Sequence, residues 1–250
     1  MHPRTTILIA AALVYIVGAY VPFGHEALYP LTLFTTWVHE MGHGLTALVL
    51  GGRFTELAIF KNASGWAACY ADSGWREALV CAGGLLAPPI VGSAIIAGVH
   101  GPKRARWVLG GLAAGIVLSL LVYVRSTTGI IAMPIVAALL GWAAWRGFRE
   151  HPEYRVVLCQ VLGVVLALDT LTRMVSYVFK NEVVVDGKTS RSDISGVADN
   201  LGGSYVLWGM LVTAIAVSML ALSLWWAWRR PEVTQESASV ARPRSGRSAR

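Results

Sequence analysis

Charged residues are scarce in this chain of 250 residues, making up 14% of it while hydrophobic residues make up 55%. A soluble domain carries about a quarter charged residues, so the shortage argues against an ordinary soluble protein. Cysteines are scarce too, because Cys69, Cys81 and Cys159 are the only three. Three scattered cysteines exclude a disulfide framework and a cysteine-rich metal site. We expect them to be inert packing residues.

Long apolar runs account for this composition. They cover about Thr5–Val21, Tyr29–Leu50, Trp75–Val99, Trp107–Val124, Ile130–Trp145, Val156–Phe179 and Tyr205–Trp228. A helix needs about 20 apolar residues to cross a bilayer, so the runs predict an all-α polytopic membrane protein. The fifth run is short and the third contains Gly83-Gly84 and Pro88-Pro89, which can kink or break a helix. We therefore expect six or seven transmembrane helices. No small-residue cleavage site follows the first run, so we interpret it as a retained helix.

Basic residues exceed acidic ones and give a formal net charge of +7. They collect at the ends of apolar runs, as in Lys103, Arg104 and Arg106, which is typical of cytoplasmic loops and not of a nucleic-acid-binding surface. We expect a multi-pass membrane protein with no nucleic-acid partner. Residues 1–228 form the membrane domain in this interpretation. Residues 229–250, rich in Ser, Arg and Pro, form a basic, disordered, cytoplasmic tail.

Two polar stretches are long enough to hold structure. The first, Arg53–Ala71, has two β-branched and aromatic segments on either side of a turn, which predicts a short β-hairpin. The second, Lys180–Ser204, is predicted to be a polar loop in which Asp186-Gly187 makes a turn. Asp193 and Asp199 in this loop are interpreted as capping or lid residues.

The second apolar run contains a HExxH motif formed by His39, Glu40 and His43. Residues four apart lie on the same face of a helix, so both imidazoles can bind one Zn²⁺ ion. Glu40 is adjacent to the first ligand and can act as the base for the water that attacks a peptide carbonyl. Ionisable groups inside a membrane are costly and need a compensating partner. An alternative is a hydrogen-bonded polar cluster that lines a water-filled cavity without a metal.

A catalytic zinc site takes a third protein ligand. The chain has only five aspartates, and Asp169 lies deep in the sixth apolar run, at a depth comparable to that of the motif. The cost of burying a carboxylate there makes Asp169 the predicted third ligand. The alternative is an intramembrane ion pair with Arg173, four residues further along the same helix face.

The sequence resembles the site-2 protease family of intramembrane zinc metalloproteases, in its compact bacterial and plant branch without a PDZ domain. The segments that carry this resemblance are Trp37–Gly52, the strand-like segment that follows it, Gly83–Pro89, Leu166–Met174 and Ser192–Gly209. The resemblance implies zinc bound by His39, His43 and Asp169, with Glu40 as the catalytic base. It also implies cleavage of membrane-embedded protein substrates in regulated intramembrane proteolysis.

Two other functions stay open from the sequence. One is a membrane transporter that uses the buried His, Glu and Asp residues as an ion path, although no second half resembles the HExxH helix as paired transporter repeats would. The other is a pseudoenzyme that binds membrane partners without cleaving them.

Overall fold

The computed structural model describes residues 3–21, 23–177 and 180–229. Eight α-helices and four short strands form within these residues. In chain order they are α1 (Pro3–Tyr20), α2 (Gly24–Val49), β1 (Arg53–Ile59), β2 (Gly65–Tyr70), α3 (Trp75–Gly98), α4 (Pro102–Val122), α5 (Thr127–Trp142), a π-helical segment (Ala143–Gly147), α6 (Glu153–Tyr177), β3 (Glu182–Val185), β4 (Lys188–Arg191), α7 (Asp193–Leu201) and α8 (Tyr205–Arg229). Of the predicted tail, only Arg229 falls within the described residues.

Four helices are long and apolar enough to cross a membrane by length and composition. They are α3, α4, α5 together with the π-helical segment, and α8. The predicted number of six or seven spans is therefore not confirmed. The coarser prediction of a mainly helical polytopic protein with a small antiparallel sheet holds.

Helix α3 is the centre of the molecule, because α2, α6, α7 and α8 all pack against it. It runs without a break through Pro88 and Pro89, so the predicted option of a broken helix is not observed. The backbone of α3 at Gly92 lies directly against the carbonyl of Gly163 on α6. Small residues at such crossings let two helices approach closely.

The predicted hairpin after the HExxH helix is confirmed. Strands β1 and β2 pair in antiparallel fashion, with Leu57 opposite Ala67. The outer edge of β1 is covered, because the Leu57 N–H donates to the carbonyl of Tyr123 (2.8 Å) and the Arg125 N–H donates to the carbonyl of Leu57 (3.0 Å). Strand β2 has no pairing partner other than β1 among the described strands.

The second polar stretch is more regular than the predicted loop. It folds into the antiparallel hairpin β3–β4, followed by the short helix α7. Asp186 and Gly187 make the hairpin turn, with positive φ angles of 48° and 75°. Two-residue hairpin turns require positive φ at both positions, and Asp-Gly suits them. The predicted turn at Asp186-Gly187 is confirmed.

Candidate metal centre

The two histidines of the HExxH motif lie one helical turn apart on α2. Their Nε2 atoms are 3.2 Å apart, and their ring planes are nearly perpendicular at 80°. Both nitrogens therefore reach the same small space, as the spacing of four residues on a helix predicts.

Helix α3 fixes the orientation of the second histidine. His43 Nδ1 lies 2.8 Å from the carbonyl oxygen of Val80. A carbonyl can only accept, so Nδ1 carries the proton and Nε2 keeps its lone pair for a metal. Gly84 leaves room for the ring, since a side-chain carbon at this position would overlap it.

Asp193 is the third member of the cluster. Its Oδ2 atom lies 3.1 Å from His39 Nε2 and 3.5 Å from His43 Nε2. Two ligands bound to tetrahedral zinc at the usual bond lengths are about 3.3 Å apart. The three observed separations lie close to this value. The donors therefore fit a zinc ion with its fourth position open, and within the described part of the chain they form the one group of three ligands close enough for a metal.

Helix α7 brings Asp193 to the histidines from a distant part of the sequence. Ser192 caps the helix by accepting a hydrogen bond from the Ser195 N–H at 3.2 Å, and Ser195 Oγ donates to the carbonyl of Asn181 at 2.9 Å. Near the other end, the Asn200 side chain accepts from the Gly74 N–H at 2.8 Å. These bonds join α7 to the second hairpin and to the start of α3, so Asp193 is held by both.

Asp169 does not lie with the histidines, and this corrects the predicted third ligand. Its carboxylate is buried on α6 and accepts a hydrogen bond of 2.9 Å from the hydroxyl of Tyr15 on α1. Burial at membrane depth thus reflects the packing of α1 on α6. Asp193 replaces Asp169 as the candidate ligand. The alternative partner of Asp169, the side chain of Arg173, falls outside the described residues.

Glu40 lines the same cavity as the three candidate ligand residues. The cavity holds about 250 Å³ and is bounded by α2, β2, α3, the second hairpin and α7. Gly65, the first residue of β2, lies against the Glu40 carboxylate, and any side chain there would overlap it. Thr36, one turn before Glu40, donates to the carbonyl of Ala63 at 2.8 Å. The turn of the first hairpin is thereby held beside the predicted base.

Residues 6–223 match the model of a protein family described as Peptidase M50B-like. The chain belongs to the Peptidase M50B-like family. This confirms the resemblance to site-2 proteases and indicates a metalloprotease. Comparison with curated proteins finds no significant match, and comparison with solved structures finds none either.

The electrostatics of the M50B-like site favour an ionised third ligand. Burial alone would raise the pKa of the Asp193 carboxyl, but the neighbouring His43 and His39 rings lower this pKa well below its usual range. Charge and hydrogen bonds that favour the carboxylate form outweigh its desolvation here. The Asp193 carboxyl is therefore ionised beside the histidine rings, and a cation that binds here displaces the ring proton that faces the carboxylate.

Sequence reasoning placed Asp193 in a polar loop and did not predict its position beside the histidines. The usable signal was local, because Ser192 followed by Asp193 is a pattern that begins a helix. The contact of α7 with α3 brings Asp193 into the cavity that contains His39 and His43, and no local pattern predicts that contact.

Proposed function

We propose that this protein is a zinc-dependent intramembrane endopeptidase that hydrolyses peptide bonds of membrane-embedded protein substrates. The observation that carries the proposal is a set of three ligand atoms at tetrahedral spacing in one cavity with Glu40. Membership of a metalloprotease family supports the same function. The resemblance to site-2 proteases supports a role in regulated intramembrane proteolysis, in which cleavage frees a regulator from its membrane anchor.

His39, His43 and Asp193 would hold the zinc ion. When bound, zinc supplies Lewis acidity that polarises a water molecule and the substrate carbonyl. Glu40 is next to His39 in the sequence and only 6% exposed, so its carboxylate faces the cavity and not bulk water. It accepts the proton of the attacking water and returns a proton to the amine that leaves.

The free edge of β2 is the proposed docking place for the substrate. Peptides bind as an added strand wherever a sheet edge has unpaired backbone groups, and the other side of this sheet is already covered by residues after α4. Gly65, Trp66, Ala67 and Cys69 of β2 all line the cavity. A strand added here would pass Glu40 at Gly65. The transmembrane segment of the substrate must unwind locally to bind in this way.

The charge distribution supports an orientation in the membrane. Basic residues gather where α4 begins and α5 ends, and the guanidinium of Arg106 lies 3.8 Å from the ring centre of Trp145. We assign this end to the cytoplasm of a bacterial cell. Val80, which holds His43, lies 18 residues before Gly98 on α3, about 27 Å along the helix. This orientation puts the metal centre nearer the opposite membrane face.

A cleavage assay tests the function. Single-span substrate proteins are reconstituted in proteoliposomes with zinc-loaded protein, and products are identified by mass spectrometry. The wild type should cleave, whereas Glu40→Gln should keep its zinc and cleave at least about a hundredfold more slowly, because proton transfer by a positioned base contributes about that much. Glu56→Gln removes the same charge outside the cavity and serves as the control.

Two outcomes contradict the proposal. Full cleavage by Glu40→Gln would show that another group, or a contaminating protease, acts as the base. Zinc flux across the proteoliposome membrane without any cleavage would favour the transporter alternative instead.

A further inference from the structure

Three carboxylates line the cavity of the candidate metal centre, and one of them has no part in the proposed mechanism. Asp193 belongs to the proposed ligand set and Glu40 is the proposed base. Glu77, in the first turn of α3, has neither role. Glu77 is half-buried and makes no hydrogen bond or ion pair with the described residues. Partial loss of hydration without a compensating partner costs a carboxylate free energy. A cationic ligand bound beside Glu77 would offset this cost.

The described residues of the cavity wall supply no cation for Glu77. Arg191 is the one Lys or Arg among the described lining residues, and its guanidinium binds Asp199 through two nitrogens. Among the described residues of the wall, the other basic groups are His39 and His43, which face Asp193. A positive charge beside Glu77 must therefore come from whatever enters the cavity.

The position of Glu77 relative to β2 limits where that charge can lie on a substrate. Gly65 lies against Glu40, and Cys69, four residues further along β2, is within electrostatic reach of both Glu40 and Glu77. Four residues of a strand cover about 13 Å. A substrate strand on the edge of β2, with its scissile bond beside Glu40, would therefore bring a residue at most about four positions away within reach of Glu77.

We propose that Glu77 is a specificity-determining residue that binds a lysine or arginine side chain of the substrate a few positions from the scissile bond. The inference rests on the proposed function, since it concerns the substrate of the same site. A carboxylate at this position also interacts favourably with the positive end of the α3 dipole. Stabilisation of the helix end alone would give no preference among substrates. A preference for Lys or Arg in the substrate therefore distinguishes substrate binding by Glu77 from a purely structural role.

The experiment scans a charge along the substrate. Peptides from one single-span membrane segment carry Lys, Gln or Glu at each position of the segment in turn. Binding is measured by fluorescence anisotropy in detergent with Glu40→Gln protein, alone and combined with Glu77→Gln, Glu77→Lys or the control Glu56→Gln. The ratio of kcat/KM for Lys and Gln peptides is measured in the same Glu77 and Glu56 variants with Glu40 intact.

One position should prefer Lys over Gln by about tenfold to a hundredfold, the effect of a charge-assisted hydrogen bond. Glu77→Gln should bring this ratio to about one, and Glu77→Lys should reverse it in favour of Glu, by the same charge pairing. The Lys-over-Gln ratio of the Glu56→Gln variant should equal that of the protein in which Glu56 and Glu77 are both intact. An unchanged ratio in Glu77→Gln, no Lys preference at any position, or no binding of any peptide overturns the inference. Failure of the proposed function looks different: binding ratios still depend on residue 77, but zinc-loaded wild type cleaves nothing.

Discussion

Replacing Gly84 by alanine should weaken zinc binding without touching a ligand. The new methyl group would overlap the Nε2, Cε1 and Cδ2 atoms of His43. A Cβ at position 84 would lie 2.1 Å from Nε2, so the ring would have to move by at least about 1.3 Å to restore ordinary van der Waals contact. That shift moves Nε2 off the position shared with His39 and Asp193, and it disturbs the hydrogen bond from Nδ1 to Val80. Loss of such an orienting contact costs about 10- to 100-fold in metal affinity.

The assay is a competition titration of the detergent-purified protein with a chromophoric zinc chelator. Gly98→Ala is the matched control, because Gly98 ends the same helix and a side chain there meets nothing within 4 Å. Circular dichroism confirms that both variants keep their helices. Zinc affinity of Gly84→Ala within twofold of the wild type, in a folded protein, would refute the packing argument, because the ring would then tolerate the methyl group.

Two further predictions concern residues outside the ligand set. Tyr15→Phe removes the hydrogen bond to Asp169 and should lower the free energy of unfolding by about 1 kcal/mol. The zinc content, measured by mass spectrometry, should equal that of the wild type. Loss of zinc in this variant would indicate that Asp169 takes part in metal binding. Burial, reinforced by Glu40 and Glu77, raises the pKa of the Cys69 thiol to about 12. At pH 8 the thiolate is therefore rare, and N-ethylmaleimide should modify Cys69 slowly, with a rate that grows as the pH rises towards that value. Fast modification at pH 7 would contradict the buried environment of the thiol.

The sequence was sufficient wherever structure is set by near neighbours. The spacing of His39 and His43 fixes a shared helix face whatever surrounds it. The alternating segments around residues 60–64 fold into the predicted hairpin, and Asp186-Gly187 makes the predicted turn. Each of these features depends on interactions within a few residues of the chain.

The candidate third ligand, Asp193, could not be found in this way, because it depends on a contact with His39 across 154 residues of the sequence. The argument for Asp169 used the cost of burying a charge, and that cost is reduced by any partner, including the Tyr15 hydroxyl. Asp193 looked exposed because its neighbours in sequence are polar. In the fold, Asp193 is surrounded by residues of α2 and α3, and both helices are far from it in the sequence.

The prediction of six or seven spans is not confirmed, because four helices have the length and composition of a membrane span within the described residues. In α2, polar side chains such as those of Glu40 and His43 interrupt the apolar run. In the folded molecule the polar groups of α2 face neighbouring helices or the cavity. For example, Trp37 Nε1 donates a hydrogen bond to Ser119 Oγ on α4 at 2.8 Å. A helix enclosed by other helices does not need the apolar surface of a lipid-facing one.

The zinc content of three proteins tests the central claim most directly: the wild type, Asp193→Ala and Asp169→Ala, each purified in detergent, loaded with zinc, desalted and measured by mass spectrometry. Loss of one of three protein ligands should empty the site, so we predict about one zinc per chain in the wild type and in Asp169→Ala, and little in Asp193→Ala. Zinc retained by Asp193→Ala and lost from Asp169→Ala would contradict the assignment of the third ligand.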